Sequence, residues 1–212
     1  MLESIIPPEV LCVEGPILAD GWEVAPAEAE WASGFGPKRK AEFLTGRSYA
    51  RRALGLSGAD SPPIGAYPDR SPMWPEGIAG CITHTRDYCA VAVARKSLFR
   101  GIGLDIESVG RITDSIASKV FTDSEREALQ AGPDSTRNAR ISAIFSAKEA
   151  FYKMQFPLTH IWVGFQDVSV RLEAEGRFTL ELAKDIGEFS QGRVLAGRFL
   201  VAGDRVAALM VV

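Results

Sequence analysis

Cysteine and histidine are scarce in this chain, with three Cys and two His among 212 residues. Cys12, Cys81 and Cys89 are odd in number and irregularly spaced, which fits neither a disulfide framework nor, with so few histidines, a zinc site. No stretch approaches the ~20 apolar residues of a membrane span. The opening MLESIIPPEV lacks the basic region and apolar run of an export signal. An excess of basic residues is also missing: the net charge of −3 gives no general attraction to nucleic acid or to an anionic membrane, so any anion site must be local. There is no low-complexity tract. These absences lead us to expect a soluble, unexported protein of a reducing cytoplasm, with neither nucleic acid nor membrane as partner. What is present is 46% hydrophobic and 24% charged residues, a globular composition. The length suits one large domain or two small ones.

Punctuation by Gly and Pro divides the chain. Residues 9–24 alternate loosely as a strand or two about Gly15-Pro16, and residues 27–31 start a short helix that Gly34 and Gly36 end. Pro37 opens a helix over residues 38–54, with Gly55 and Gly58 as its stop. Residues 61–80 hold five Pro and three Gly and read as a long loop with room for one short strand. AGCITHTRDYCAVAVA (79–94) and GIGLDIE (101–107) are β-rich runs across a short basic turn, predicting paired strands. Beyond them the pattern predicts helices over 124–129 and 137–154, then strands over 163–172, 177–182 and 193–212. A helix followed by strands thus occurs twice. The expected architecture is α+β, duplicated in halves 1–100 and 101–212.

Four stretches carry chemistry. In FSAKEAFYK (145–153), helical geometry puts Phe145, Lys148, Glu149 and Tyr152 on one face, so a Lys and a Glu sit among aromatics instead of opposite them. Either they pair at the edge of that face or they meet something that needs both signs. In GLDIE (103–107), the two-residue strand period puts Asp105 and Glu107 on one face and Leu104 and Ile106 on the other. Two such carboxylates suit Mg²⁺, which needs few protein ligands, or else a solvated strand face. Lys38, Arg39, Lys40, Arg47, Arg51 and Arg52 share one helical region with only Glu42 against them. Arginine forks there suit phosphate oxygens; a charged surface helix is the plain alternative. Thr83 and His84 interrupt an apolar strand, where they are phosphate donors or satisfied core residues, and Arg70 lies exposed on the broken loop near Trp74.

KRKAEFLTGR, RSPMWPEGIAGCITH, GLDIE and FSAKEAFYK, in that order and spacing, resemble the phosphopantetheinyl transferases of the surfactin-synthetase type, most closely the enterobactin-synthesis branch. The resemblance covers residues 38–153. It implies Mg²⁺-dependent transfer of the phosphopantetheine arm of coenzyme A to a serine of an apo acyl or peptidyl carrier protein, with release of 3′,5′-ADP. By resemblance, Asp105, Glu107 and Glu149 hold the metal. Glu149 and Lys148 form the catalytic pair, with Glu149 as the base. Lys148 and Lys153 contact phosphate, and Arg39, Arg47, Arg70, Thr83 and His84 surround the pyrophosphate and 3′-phosphate. Two positions depart from the family: Cys81 stands where Ser is common, and Ile106 is apolar where some relatives have a third polar ligand. The implied fold is two similar α+β halves about a pseudo-twofold axis, with the active site in the cleft between them, in a monomer. Two other readings compete with it: a Mg²⁺-dependent nucleotide or pyrophosphate hydrolase, and a catalytically silent carrier-binding module.

Overall fold

Tyr88–Arg95 alternates Ala with Cys and Val, so it has two apolar faces of different depth and requires a cover on each. The computed structural model, which describes every residue except Thr113 and the side chains of Asp114 and Ser115, supplies both. This strand, β3, is the centre of an antiparallel sheet with β1 (Leu11–Pro16) on one side and β2 (Ile78–His84) on the other. Cys89, Val91 and Val93 pack with Tyr49, Ala50, Ala53 and Leu54 of α2 (Pro37–Ser57). Ala90, Ala92 and Ala94 turn the other way, into a cluster with Leu104, Ile106 and Leu209.

Those last three residues belong to a second antiparallel sheet, ordered β4 (Ile102–Ser108), β8 (Arg205–Val211), β7 (Val194–Ala202), β6 (Arg177–Leu182) and β5 (Val168–Leu172). A 23-residue helix, α5 (Arg137–Thr159), lies across it and buries Phe151 and Met154. Gly103 makes that crossing possible, because a Cβ there would run into the carbonyl of Ala150. Each half therefore sets one long helix on an antiparallel sheet, of three strands in one and five in the other. Shorter helices α1 (Pro26–Trp31), α3 (Asp114–Val120) and α4 (Asp123–Ala131) complete the α+β fold. Among the described residues no helix is long and apolar enough to cross a membrane.

Several expected boundaries shift. Within residues 9–24 there is one strand, Leu11–Pro16, which ends on Gly15-Pro16. Residues 79–94 are themselves a hairpin, turning where Thr85 N donates to Tyr88 O (2.8 Å). β4 pairs with β8 and not with that hairpin: β3 already has a neighbour on each edge, and β4 runs beside β2 without sharing a ladder with it. α5 continues past Met154 and through Pro157 to a left-handed cap at His160 (φ 54°). In the last turn a proline forfeits one bond, to the Lys153 carbonyl, which is cheaper there than in mid-helix. Residues 163–172 keep only the strand from Val168, after a 3₁₀ turn at Phe165–Asp167. Residues 193–212 split into β7 and β8 at Gly203, whose φ of +62° makes the turn.

Candidate active site

The first part of the site grows from α2. Its N-terminal turns carry Arg39 and Arg47, which line a cleft of about 550 Å³ together with Arg70 and His84. These four expected phosphate contacts are thus brought together, with Glu42, Phe35 and Phe43 beside them. Arg47 is buried; its Nε donates to Ile64 O (2.7 Å), its Nη2 to Gly65 O (3.1 Å), and its guanidinium lies 4.4 Å from the Phe43 ring centre. Burial pulls its pKa down to about 10, a fall that the nearby Glu28 carboxylate opposes. Glu28 is itself fully buried and accepts from Ala25 N and Ile64 N, both at 2.7 Å. The segment at Ile64 and Gly65 is therefore clamped from two sides. Sequence reading passed over Glu28 because its partner is 36 residues away.

Arg70 tops a tight turn in which its own N donates to Tyr67 O (2.8 Å) and Asp69 accepts from Ser71 N (2.8 Å). Its φ of 73° is a conformation that non-glycine residues seldom hold. His84 ends β2 with Nδ1 3.3 Å from Thr85 O. Burial lowers its pKa, with Glu42 opposing, which favours the neutral imidazole.

The second part grows from β4. Asp105 and Glu107 share the face turned to α5 and are 4% and 7% exposed, so the solvated alternative is removed. Asp105 Oδ1 accepts from Lys153 Nζ (2.6 Å) and Thr83 Oγ1 (3.2 Å), while its Oδ2 is buried without a partner. Glu107 Oε2 is likewise buried without a hydrogen bond; Arg111 Nε is 3.3 Å away but poorly aligned to donate. Burial, and then the Asp105 charge, push the Glu107 carboxyl up to about 7. The same two causes, in the same order, raise Glu149, on the facing helix. Burial works most strongly against the charge of Lys153, but Asp105, Cys81 and Glu149 together outweigh it and hold that pKa above its ordinary value.

The Asp105 charge raises both Glu107 and Glu149, and Asp105 and Glu107 each keep a buried oxygen without a hydrogen bond, so the three carboxylates suit a hard divalent cation. Among the described residues, no three His, Cys, Asp or Glu side chains stand close enough to enclose an ion on their own. An incomplete oxygen set of this kind would leave water or substrate oxygens to fill the remaining positions of a cation held there.

Two expected site residues are employed elsewhere. Lys148 is 3% exposed, and its ammonium meets Val120 O (2.8 Å), Phe165 O (2.7 Å) and Glu125 (2.8 Å), which uses all three of its hydrogens. In this arrangement no hydrogen of the ammonium is left for a phosphate. The pairing of Lys148 with a buried carboxylate depends on where α4 docks, and no local pattern announces it. Thr83 is 2% exposed and bonds across to Asp105, so it is absent from the cleft that its neighbour His84 lines. Glu149 borders a further cavity of about 580 Å³ with Tyr152, Trp162, Val163 and Phe165. Lys119 and Lys148 line the same cavity.

Comparison with known proteins divides the chain where the sheets do. Residues 27–94 match the 4′-phosphopantetheinyl transferase N-terminal domain and residues 101–209 the 4′-phosphopantetheinyl transferase superfamily. The chain is 34% identical over 175 residues to the 4′-phosphopantetheinyl transferase Npt of Nocardia iowensis, covering 82% of this chain and 78% of that protein. It is 35% identical over 181 residues to the 4′-phosphopantetheinyl transferase Svp of Streptomyces mobaraensis, covering 82% and 70%. Enterobactin synthase component D of Salmonella typhimurium matches at 36% identity over 120 residues, 56% of this chain and 49% of that one. Among solved structures, the holo-acyl-carrier-protein synthase of Thermotoga maritima is similar at 27% identity with a TM-score of 0.42, over 53% of this chain and 62% of that chain.

Proposed function

The chain belongs to the 4′-phosphopantetheinyl transferase superfamily, and on that premise we propose that it uses Mg²⁺ to move the 4′-phosphopantetheine arm of coenzyme A to a serine of an apo carrier protein, releasing 3′,5′-ADP. The observation that carries this reading is the juxtaposition of two charge patterns. A cleft lined by Arg39, Arg47, Arg70 and His84 ends at β2, and the underfilled carboxylates of Asp105 and Glu107 stand on the strand beside it. A polyanion bridged to a divalent cation satisfies both at once.

In this reading the arginines and His84 bind the phosphates of coenzyme A and orient the nucleotide. Asp105, Glu107 and Glu149 would hold Mg²⁺, which when bound withdraws charge from the pyrophosphate oxygens. Lys153 holds Asp105 in place through an ion pair of 2.6 Å. The serine oxygen bonds to the phosphorus that carries the pantetheine arm as the bond from that phosphorus to the ADP oxygen breaks. Glu149 takes the serine proton, a task that burial and the Asp105 charge favour by raising its pKa above the ordinary carboxylate value. Positioning and charge supply most of the acceleration in such a transfer. Both parts of the site lie in one chain, which supports a working monomer.

The test is intact-mass measurement of several apo carrier proteins incubated with the enzyme, coenzyme A and Mg²⁺. One phosphopantetheinyl addition on at least one carrier is expected, blocked by EDTA and matched by 3′,5′-ADP. Continuous 3′,5′-ADP release without any carrier identifies a hydrolase instead. Carrier binding with no mass gain on any carrier identifies a silent module.

A further inference from the structure

β2 and β4 are edge strands of different sheets that run side by side without sharing a backbone ladder. Side chains from β2 take its place. The Cys81 thiol donates to Leu104 O and accepts from Leu104 N, both at 3.3 Å. Two residues on, Thr83 Oγ1 meets Ile106 N (3.3 Å), Lys153 Nζ (3.2 Å) and Asp105 Oδ1 (3.2 Å).

The direction of these bonds follows from counting hydrogens. A hydroxyl has one proton to give. The Ile106 amide and the Lys153 ammonium are donors only, so the Thr83 proton has one acceptor left, Asp105 Oδ1. That oxygen then holds two donors, Thr83 and Lys153, while Oδ2 holds none. The terminal torsion of an aspartate is broad and nearly two-fold, so the residue does not choose which oxygen stays free. Its two donors choose.

We propose that Thr83 is a positioning residue for the metal and not a nucleotide contact: from the nucleotide half it fixes the Asp105 carboxylate so that Oδ2 is left free to bind the cation. The inference rests on the transferase reading above and deepens it. It also gives the seam a purpose, because His84 in the cleft and the oxygen that takes the metal are tied through adjacent residues of one strand.

The test separates metal from nucleotide. Coenzyme A affinity is measured by calorimetry in EDTA, and Mn²⁺ affinity of the coenzyme A complex by electron paramagnetic resonance. Thr83→Val should weaken Mn²⁺ binding ~10–100-fold, the usual effect of losing a group behind a ligand, and leave coenzyme A affinity within about twofold; Thr83→Ser should restore the metal. Weaker coenzyme A binding with Mn²⁺ affinity unchanged would overturn the proposal. Should Thr83→Val not fold, a crystal structure of the wild-type protein with coenzyme A and Mn²⁺ decides. The hydroxyl on Asp105 supports the proposal, and the hydroxyl on a phosphate oxygen overturns it. Wild-type protein that binds neither probe removes the transferase reading itself, an outcome distinct from either result at Thr83.

Discussion

Glu107 concentrates the charge conflict of the site in one side chain. Its carboxyl titrates at about 7 in the folded chain against an ordinary 4.5. Between those values the folded state binds a proton that the unfolded state has released, so the stability tied to that proton is complete below the ordinary value and is lost as pH rises through about 7. Glu107→Gln is neutral at every pH and escapes the loss. Thermal melts in EDTA should show the variant above wild type near pH 8, on the order of 5 °C, with the gap closing toward pH 4. An equal gap at both ends would mean that the carboxyl is not raised. Glu149 invites a kinetic test. Glu149→Gln keeps the shape and one oxygen ligand but cannot take a proton, so turnover should fall ~10²–10⁴ with little change in coenzyme A affinity. Asp105→Asn should instead be partly relieved by added Mg²⁺. Restoration of Glu149→Gln by excess Mg²⁺ would place the base elsewhere. Arg70 separates stability from binding, because its φ of 73° suits glycine better than arginine. Arg70→Gly should melt no lower than wild type yet raise the dissociation constant for coenzyme A about tenfold or more, the loss of one charge-assisted contact. Unchanged affinity would take Arg70 out of the site.

Among the elements, α5 shows what the sequence discloses and what it hides. The long helices over 38–54 and 137–154 were legible because a run with no breaker but Gly46, between Pro or Gly signals, has few alternatives. The carboxylate face of GLDIE was legible because a strand has a period of two. Period says which residues share a face, but not which edges join in a ladder; hence β4 pairs with β8 where pairing with the hairpin was expected, although it runs beside β2. The surroundings of Lys148 were hidden for a similar reason. Its partner Glu125 lies on α4, and that same carboxylate also accepts from Thr122 N (2.8 Å) and Val170 N (2.6 Å). One buried ion pair therefore fastens α5, α4 and β5 together. Lys148→Met leaves Glu125 buried and unpaired, which should cost about 3–5 kcal/mol in urea unfolding, whereas the double variant Lys148→Met, Glu125→Leu should recover part of it. A Lys148→Met protein of wild-type stability that fails only to bind coenzyme A would restore the phosphate-contact reading.

At the scale of the whole molecule, the question is whether the two sheets are two domains. The matched segments, 27–94 and 101–209, and the change of sheet between Arg95 and Ile102 suggest separable units. The core argues otherwise. One buried cluster takes Ala79, Ala90, Ala92 and Ala94 from the first sheet and Ile102, Leu104, Ile106 and Leu209 from the second. Its first-sheet members are small, so neither face can close on itself, and separation would expose the larger aliphatic side chains of β4 and β8 to water. Parting the sheets would also break the bonds from Cys81 and Thr83 to β4 and leave Lys153 and Asp105 with one neighbour fewer. The apolar and polar terms act in the same direction. We therefore expect one cooperative unit, in which amides of β3 and β8 exchange only through global opening. Hydrogen exchange followed by mass spectrometry should give these two strands opening free energies within about 1 kcal/mol of each other, with the same dependence on urea. Were β3 to open at much lower free energy while β8 stayed protected, the seam would be a contact between independent domains. Catalysis would then depend on how often they dock.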